Sequence, residues 1–492
     1  MPNSVDFKGK PFHFIGIGGI GMSALAYILA SRQLPVSGSD TRSSNITQKL
    51  QAIGAQIFDR QEASNLEFFN SKSPRPQTVV ETKVGSAIAQ TINKSSISDS
   101  KTLPQVIYST AINTANLEYK AALDLGCSIF HRSDLLAALM AEYSSIAVAG
   151  THGKTTTSSA IGYMLVQAGI DPTIVIGGEV TAWEGNARVG QSKYLVAEAD
   201  ESDGSLVKLS AAIGVITNIE LDHPDHYADL EQVVTTFLTF ASRCDILVGC
   251  IDCETVKNRL KPQITYSLQP KGADYTVSDI EYRADGTKAV VWEQGQALGT
   301  LNLRLLGKHN LSNAIASVAV GRLLKLDFDT IAQSLVNFVG ASRRFEVHGV
   351  AGGITFIDDY AHHPSEIRAT LESARLQAKP GARVVAIFQP HRYSRTQTFL
   401  TEFAESFKNA DVVVITDIYS AGEQDLGLVS SQKLVELIAQ QQETVTYQPS
   451  LNDVSKFLLA NLRSGDIALF LGAGNLNQII PSAISSIGQI SA

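Results

Sequence analysis

HFIGIGGIGMSALA, residues 13–26, decides the reading of the fold. A short apolar run ends in glycines at 16, 18 and 21, and apolar residues then recur at helical spacing. That is a strand, a tight turn and a helix with the G-x-G-x-x-G spacing of a dinucleotide-binding turn. Such a turn offers backbone N–H groups to a pyrophosphate. By itself it leaves open whether the ligand is a redox cofactor or another nucleotide. PVSGSD follows as a second strand ending in Asp40, about where this fold places a ribose-binding acid, and VIYSTAI at 106–112 reads as a further strand. Residues 71–101, rich in Ser, Thr and Lys and without periodicity, read as an insertion in a surface loop.

A second turn changes the meaning of the first. SSIAVAGTHGKTTTSSAIGYMLVQAG runs from an apolar strand through Gly150, Thr151, His152, Gly153, Lys154, Thr155 and Thr156 into a helix. Val148 stands where the strict phosphate-loop pattern has its first glycine. The context still fits: helix N-terminal amides would cradle phosphates, Lys154 would reach the outer oxygens, and the Thr155 hydroxyl would meet a magnesium ion. The plain alternative is a glycine turn with a solvated lysine. A redox enzyme has little use for an ATP loop.

From residue 342 onward strands and helices alternate again: ITFIDD, a helix from Pro364 to Gln377, RVVAIFQP, TQTFLTEFAESF, DVVVITD and DIALFLGAGN. The whole is therefore expected to be α/β with three domains. They are a Rossmann-like domain over 1–143, a central phosphate-loop domain over 144–341 and a second Rossmann-like domain over 342–492. The length of 492 residues agrees with about three domains.

Composition bounds the partners. Apolar residues make up 44% and charged residues 18%, ordinary globular usage. A net charge of −8 argues against nucleic acid held by bulk charge, and no apolar stretch is long enough for a membrane span. MPNSVDFKGKPF lacks the apolar segment of an export signal, so a cytoplasmic protein is expected. Cys250 and Cys253 form a C-x-x-C without a second ligand pair nearby and, with Cys127 and Cys244, are read as free thiols.

The charged clusters fall at strand ends, where open α/β sheets bind ligands. Glu198, Asp200, Glu201 and Asp203 follow one strand as a platform for a phosphate-bound metal, with Asp203 read as a solvated turn residue. Asp222, His223, Asp225 and His226 end another, and chemistry alone leaves both histidines between metal ligation and core packing. His309, Asn310 and Asn313 open a helix, where amides can read an adenine edge or cap the helix. Arg343 and Arg344 lie near the second domain boundary. His391, Arg392 and Arg395 form the strongest anion pocket in an acidic chain, and the arginine fork suits a carboxylate.

Taken in order, HFIGIGGIGMSALA, SGSD, GTHGKTTT, EADESD, TNIELDHPDHY, GKHNLSNA, RRFE, DDYAHHPSE, FQPHRYSRT, TDIYSAGE and GAGN closely resemble the Mur ligase family, from about residue 12 to residue 475. The resemblance implies that the first turn holds the pyrophosphate of a UDP-sugar, with Gly18, Gly19 and Gly21 in the turn and Asp40 on its ribose side. It implies that UDP-N-acetylmuramate, L-alanine and ATP are joined through an acyl phosphate in peptidoglycan precursor synthesis, with magnesium, or manganese in its place, as the metal. Lys154 then matches the phosphoryl-neutralising lysine, and Thr155, Glu198 and His223 the metal ligands. His309, Asn310, Asn313, Arg344 and Asp359 match ATP-contacting positions, the last two from the C-terminal domain. His391, Arg392 and Arg395 match the group that receives the amino acid's carboxylate, with Tyr360 bordering that pocket. The carbamylated lysine of some relatives has no counterpart, since no lysine lies between Lys208 and Lys257. Three rivals remain: the sibling ligase that attaches a recycled tripeptide, a pyridine-nucleotide oxidoreductase, and a silent binding protein on the same scaffold.

Overall fold

The computed structural model describes residues 4–70 and 103–491. The whole of the 71–101 insertion expectation therefore falls outside the described residues. The chain divides into two compact bodies, Met1–Ala138 and Leu139–Ala492, and the second contains two of the three sheets.

The first body is a five-stranded parallel sheet in the order Gln56–Phe58, Val36–Ser39, Phe12–Ile15, Gln105–Tyr108, Ser128–His131. Strand order reverses at Phe12–Ile15, so the glycine turn sits at the topological switch point, where such sheets bind nucleotides. Its strand is buried throughout, which is why it reads as an uninterrupted apolar run. The strand expected over 106–112 ends at Tyr108, because a turn closes from the Ile112 N–H to the Ser109 carbonyl.

The second body holds a ten-stranded sheet. Its middle is parallel, with Ser144–Ala149 between Ala211–Ile216 and Tyr194–Glu198. The phosphate loop, the acidic strand end and the 217–226 loop therefore emerge side by side at the C-terminal edge. Beyond them the antiparallel strands Tyr275–Arg283, Gly286–Glu293 and Gln296–Leu303 extend the sheet, an element that sequence periodicity alone leaves unread. The helices Lys154–Gln167 and Gly307–Leu323 pack on this sheet around Ile161, Leu165, Ile315 and Val318.

A six-stranded sheet completes the body, ordered Glu346–Ala351, Ile354–Asp359, Ile467–Leu471, Val384–Phe388, Val412–Ile415, Val445–Tyr447. Only the first strand is antiparallel. Pro364–Gln377 is helical as its sequence dictates: Pro364 sits in the first turn and Glu366 closes a capping box with His363. The segment read as one helix from Thr396 onward breaks at Phe399 into Tyr393–Thr398 and Leu400–Ala404. All four cysteines are free. Among the described residues no helix is long and apolar enough to cross a membrane.

Candidate active site

Glycine is required twice in the phosphate loop. Gly150 has φ +140° and Gly153 φ +83°; a Cβ would come within 2.0 Å of the Thr217 hydroxyl at the first and 2.5 Å of Asn313 Oδ1 at the second. The Thr217 hydroxyl donates to the His152 carbonyl, and the His152 N–H donates to Asn218 Oδ1 at 2.9 Å. The loop is thus fixed by its neighbouring strand end.

Lys154 folds back into the loop. Its ammonium donates to the Gly150 carbonyl (2.7 Å), the Thr151 carbonyl (3.1 Å) and Glu201 (2.9 Å). Burial would depress the lysine, but Glu201, Asp200 and Glu198 outweigh it and hold its pKa above the ordinary value. Burial pushes Glu201 up to about 7 against the pull of that ammonium. The Thr155 hydroxyl donates to Glu198 at 3.1 Å, and the same carboxylate accepts the Gly177 N–H at 2.8 Å.

A cavity of about 250 Å³ opens beside the loop, lined by His152, Gly153, Thr155 and Thr156 from one side and by His309, Asn310 and Asn313 from another. Arg344, Phe345, Asp359 and Glu366 close it from the six-stranded sheet. Asn310 donates to the Leu306 carbonyl, one turn back, and its oxygen lies 3.5 Å from the Asn313 amide, so neither amide caps the helix. Burial lowers His309 to about 4 and raises Asp359 to about 6, the latter opposed by Arg344. Asp359 is partly committed already, accepting the Phe345 and Ala361 N–H groups.

His152 ties this loop to the C-terminal sheet. Its Nδ1 lies 3.3 Å from Glu366 and its Nε2 3.4 Å from Glu220. Burial disfavours the charged ring, but these two carboxylates prevail and raise its pKa to about 10. Ser365 donates to Glu220 at 2.7 Å across the same seam. Nothing in the local sequence of Glu220 or Glu366 points to this pairing, although Glu366 is legible as a capping residue.

The pocket expected to take an anion differs from the sequence expectation. Arg392, Arg395 and His391 do come together, but both arginines already face carboxylates. Arg395 is 1% exposed, with Nε and Nη2 each 2.8 Å from Asp222 Oδ1. Arg392 Nη1 meets Asp225 at 3.1 Å and Glu423 at 3.2 Å. The acids of TNIELDHPDHY and the bases of FQPHRYSR thus neutralise one another. His391 stacks on Tyr419 and lies 5.8 Å from the His362 ring, and burial, together with His362, Arg395 and Arg392 beside it, lowers it to about 3. The guanidinium carbons of Arg343 and Arg344 each lie over the Tyr360 ring, 5.0 Å from its centroid. His362, on which Tyr360 packs edge-on, stands between it and His391; the sequence reading gave His362 no role.

His223 has a left-handed backbone, φ +56°, with Nδ1 3.4 Å from Arg395 and Nε2 3.6 Å from Asp222. Among the described residues, the groups of three potential ligand side chains within 4.8 Å are His152, Glu220, His363 and Glu346, His348, Asp358; neither contains Glu198 or His223. His226 instead packs on Tyr227. Asp203 caps the Ser205 N–H, the turn role read from sequence.

In the first body, Gly16 has φ +78° and Gly19 precedes the helix Ile20–Ser31. Asp40 is turned inward: its carboxylate accepts the Gly18 N–H at 2.9 Å and the Arg42 N–H at 3.0 Å. It braces the turn itself. Gly21 lies against Arg132, 3.5 Å from where a Cβ would stand.

Comparison with known proteins agrees with this architecture over the full chain. The Mur ligase family catalytic domain matches residues 11–144, the Mur ligase middle domain 148–321 and the Mur ligase glutamate ligase domain 343–474. A UDP-N-acetylmuramate–L-alanine ligase of Nostoc sp. is 65% identical, over 99% of this chain and 98% of its own. One from Nostoc punctiforme is 67% identical over the same shares. The solved UDP-N-acetylmuramate-alanine ligase of Thermotoga maritima has a TM-score of 0.79 at 26% identity, covering 98% of this chain and 100% of its own. Two glycine turns on separate sheets, a phosphate-loop cavity closed from a third sheet, and this likeness along the whole length lead to one conclusion: the chain belongs to the Mur ligase family.

Proposed function

We propose that the chain joins L-alanine to the lactyl carboxylate of UDP-N-acetylmuramate at the expense of ATP, the reaction for which its relatives are named, as a cytoplasmic step of peptidoglycan precursor synthesis. One observation carries the chemistry. The 217–226 loop runs from the phosphate loop, through Thr217 and Asn218, to the arginine pocket, through Asp222, so the nucleotide cavity and the expected amino-acid site share one wall.

In this reading 1–143 holds the UDP-sugar at Gly18, Gly19 and Gly21, 144–341 holds ATP, and 342–492 supplies the amino-acid pocket. ATP lies in the cavity between the loop and Asn310, Asn313, Arg344 and Asp359. The lactyl carboxylate attacks the γ-phosphorus, giving an acyl phosphate and ADP. Lys154 leaves Glu201 for the phosphoryl oxygens and offsets their charge. The neutral amine of alanine then attacks the acyl carbon, and the tetrahedral intermediate collapses to the amide, releasing phosphate and the proton lost from the nitrogen. Arg392 and Arg395 orient the carboxylate of the incoming amino acid, and Tyr360 borders its side chain.

The Thr155 hydroxyl and the Glu198 carboxylate, 3.1 Å apart, are oxygen donors of the kind a hard divalent cation takes beside phosphates. They would hold magnesium or manganese; His223, the third residue matched to the metal, follows the strand on the other side of Ser144–Ala149 and lies against Asp222 and Arg395. The ion would supply positive charge at the phosphates.

The test is phosphate release with ATP and each amino acid in turn, with and without UDP-N-acetylmuramate. Release should need the sugar nucleotide, and alanine should be the best acceptor. Rapid ATP turnover with metal alone would contradict this order of chemistry. Release driven by a tripeptide in preference to alanine would favour the sibling ligase.

A further inference from the structure

We infer that Asp222 is a positioning residue for the amino-acid half of the reaction, fixing Arg395 so that only one edge of its guanidinium is left for a substrate carboxylate. The inference rests on the functional reading above.

A guanidinium offers two forked edges, Nε with Nη2 and Nη1 with Nη2. In Arg395 the first edge is spent: Nε and Nη2 both lie 2.8 Å from Asp222 Oδ1. The second edge is met only by two imidazole nitrogens, Nη1 3.2 Å from His391 Nδ1 and Nη2 3.4 Å from His223 Nδ1, contacts that a carboxylate would displace. A substrate carboxylate can engage Arg395 only there, between the histidine of the arginine pocket and that of the 217–226 loop.

Arg392 differs. Its side chain is 31% exposed, and its contacts to Asp225 and Glu423 run through Nη1 alone, at 3.1 and 3.2 Å. It can release these partners to bind a ligand at little cost in desolvation. Arg395 is 1% exposed and Asp222 5% exposed, so breaking their pair would leave two buried charges unmatched. One arginine is free to move; the other is held.

Asp222 is itself held. Its Oδ1 accepts the His223 N–H at 2.7 Å, and the His223 carbonyl accepts the N–H groups of His226 and Tyr227. The Tyr227 hydroxyl donates to the carbonyl of Glu201, the residue whose side chain pairs with Lys154. The loop that sets Arg395 is thereby braced on the phosphate side, and Asp222 is its buried grip on the C-terminal sheet, beside the more exposed contacts of Glu220 with Ser365 and Asp225 with Arg392.

The experiment uses the full chain with all three substrates. Alanine-dependent turnover by the unsubstituted protein comes first; its absence overturns the functional reading itself, before any variant is made. Acyl-phosphate formation is then read separately, by trapping with hydroxylamine without amino acid. Asp222→Asn should raise the KM for alanine roughly tenfold or more, while the KM for ATP and the trapping rate stay within about twofold. Asp225→Asn, at the exposed partner, should move the alanine KM much less. A purely structural ion pair would instead lower the melting temperature and leave the alanine KM in place. An unchanged alanine KM, or alanine and ATP constants rising together, overturns the inference. If Asp222→Asn does not fold, Asp222→Glu keeps the charge but displaces the guanidinium, and it must show the same selective rise in alanine KM.

Discussion

In the proposed function the two glycine turns use one backbone device for two tasks. Each follows a buried strand at the C-terminal edge of a parallel sheet, each opens a helix without a side-chain cap, and each needs glycine because a neighbour fills the Cβ space. At Gly18 that neighbour is Asp40, 2.8 Å away; at Gly150 it is Thr217. The difference lies in the charges. Around the first turn the nearest acid braces the backbone, and no lysine opens the helix. Around the second, Lys154 and Thr155 open the helix and are met by Glu201 and Glu198. Backbone amides suffice to hold a pyrophosphate; moving a phosphoryl group needs charge placed where negative charge develops.

Lys154→Ala should break the comparison most severely. Turnover should fall by roughly a thousandfold or more, as expected when a phosphoryl-neutralising cation is removed, while calorimetric titration shows UDP-N-acetylmuramate binding nearly unchanged. Near-normal turnover would place the phosphoryl chemistry elsewhere.

Substrate selection comes next in size. All α-amino acids carry the same carboxylate, so Arg392→Ala should lower kcat/KM for glycine, alanine and valine alike, by ~2 kcal/mol for so partly exposed a charge. Glycine should remain a substrate, roughly 10–200-fold below alanine, since only a methyl distinguishes them. Tyr360→Ala should narrow the gap between alanine and valine. Ratios that shift in the arginine variant and stay fixed in the tyrosine variant would reverse the two roles.

Gly18→Ala sharpens the contrast from the other side. The added methyl meets the Asp40 carboxylate and Thr47, and the carboxylate must swing off the Gly18 N–H. UDP-sugar affinity should drop roughly tenfold, the cost of about one such hydrogen bond, with the KM for ATP unchanged. An equal loss for both nucleotides would show that the turns are not independent.

The smallest effect concerns His152. Its folded pKa of about 10 lies above the ordinary 6.5, so its pairing with Glu366 and Glu220 stabilises fully below pH 6.5 and is lost as pH rises through about 10. The melting temperature of the unsubstituted chain should therefore exceed that of His152→Gln by a few degrees at pH 6.5, and the gap should close by pH 10.5. A constant gap across that range would mean that the ring is not charged in the folded protein.

Local sequence determined much of this molecule. HFIGIGGIGMSALA and IAVAGTHGKTTT specify strand, turn and helix because glycine's freedom and apolar periodicity act within a few residues. The helix Pro364–Gln377 is equally legible, its start fixed by His363, Pro364 and Glu366. The hairpins over 275–303 are less legible: ADG and QGQ stand at their turns, but their runs alternate and are half exposed, without the continuous apolar stretches of the parallel strands. What the sequence could not tell was who pairs with whom. Arg395 and Arg392 read as a free anion pocket, and the fold gives them Asp222 and Asp225, more than 160 residues away in the chain. His152 read as a nucleotide-binding member of the phosphate loop, and the fold sets it between Glu220 and Glu366. Such pairs depend on which strand ends the sheet order brings together, and on the burial that makes an unmatched charge costly there; neither is encoded in the spacing of neighbouring residues.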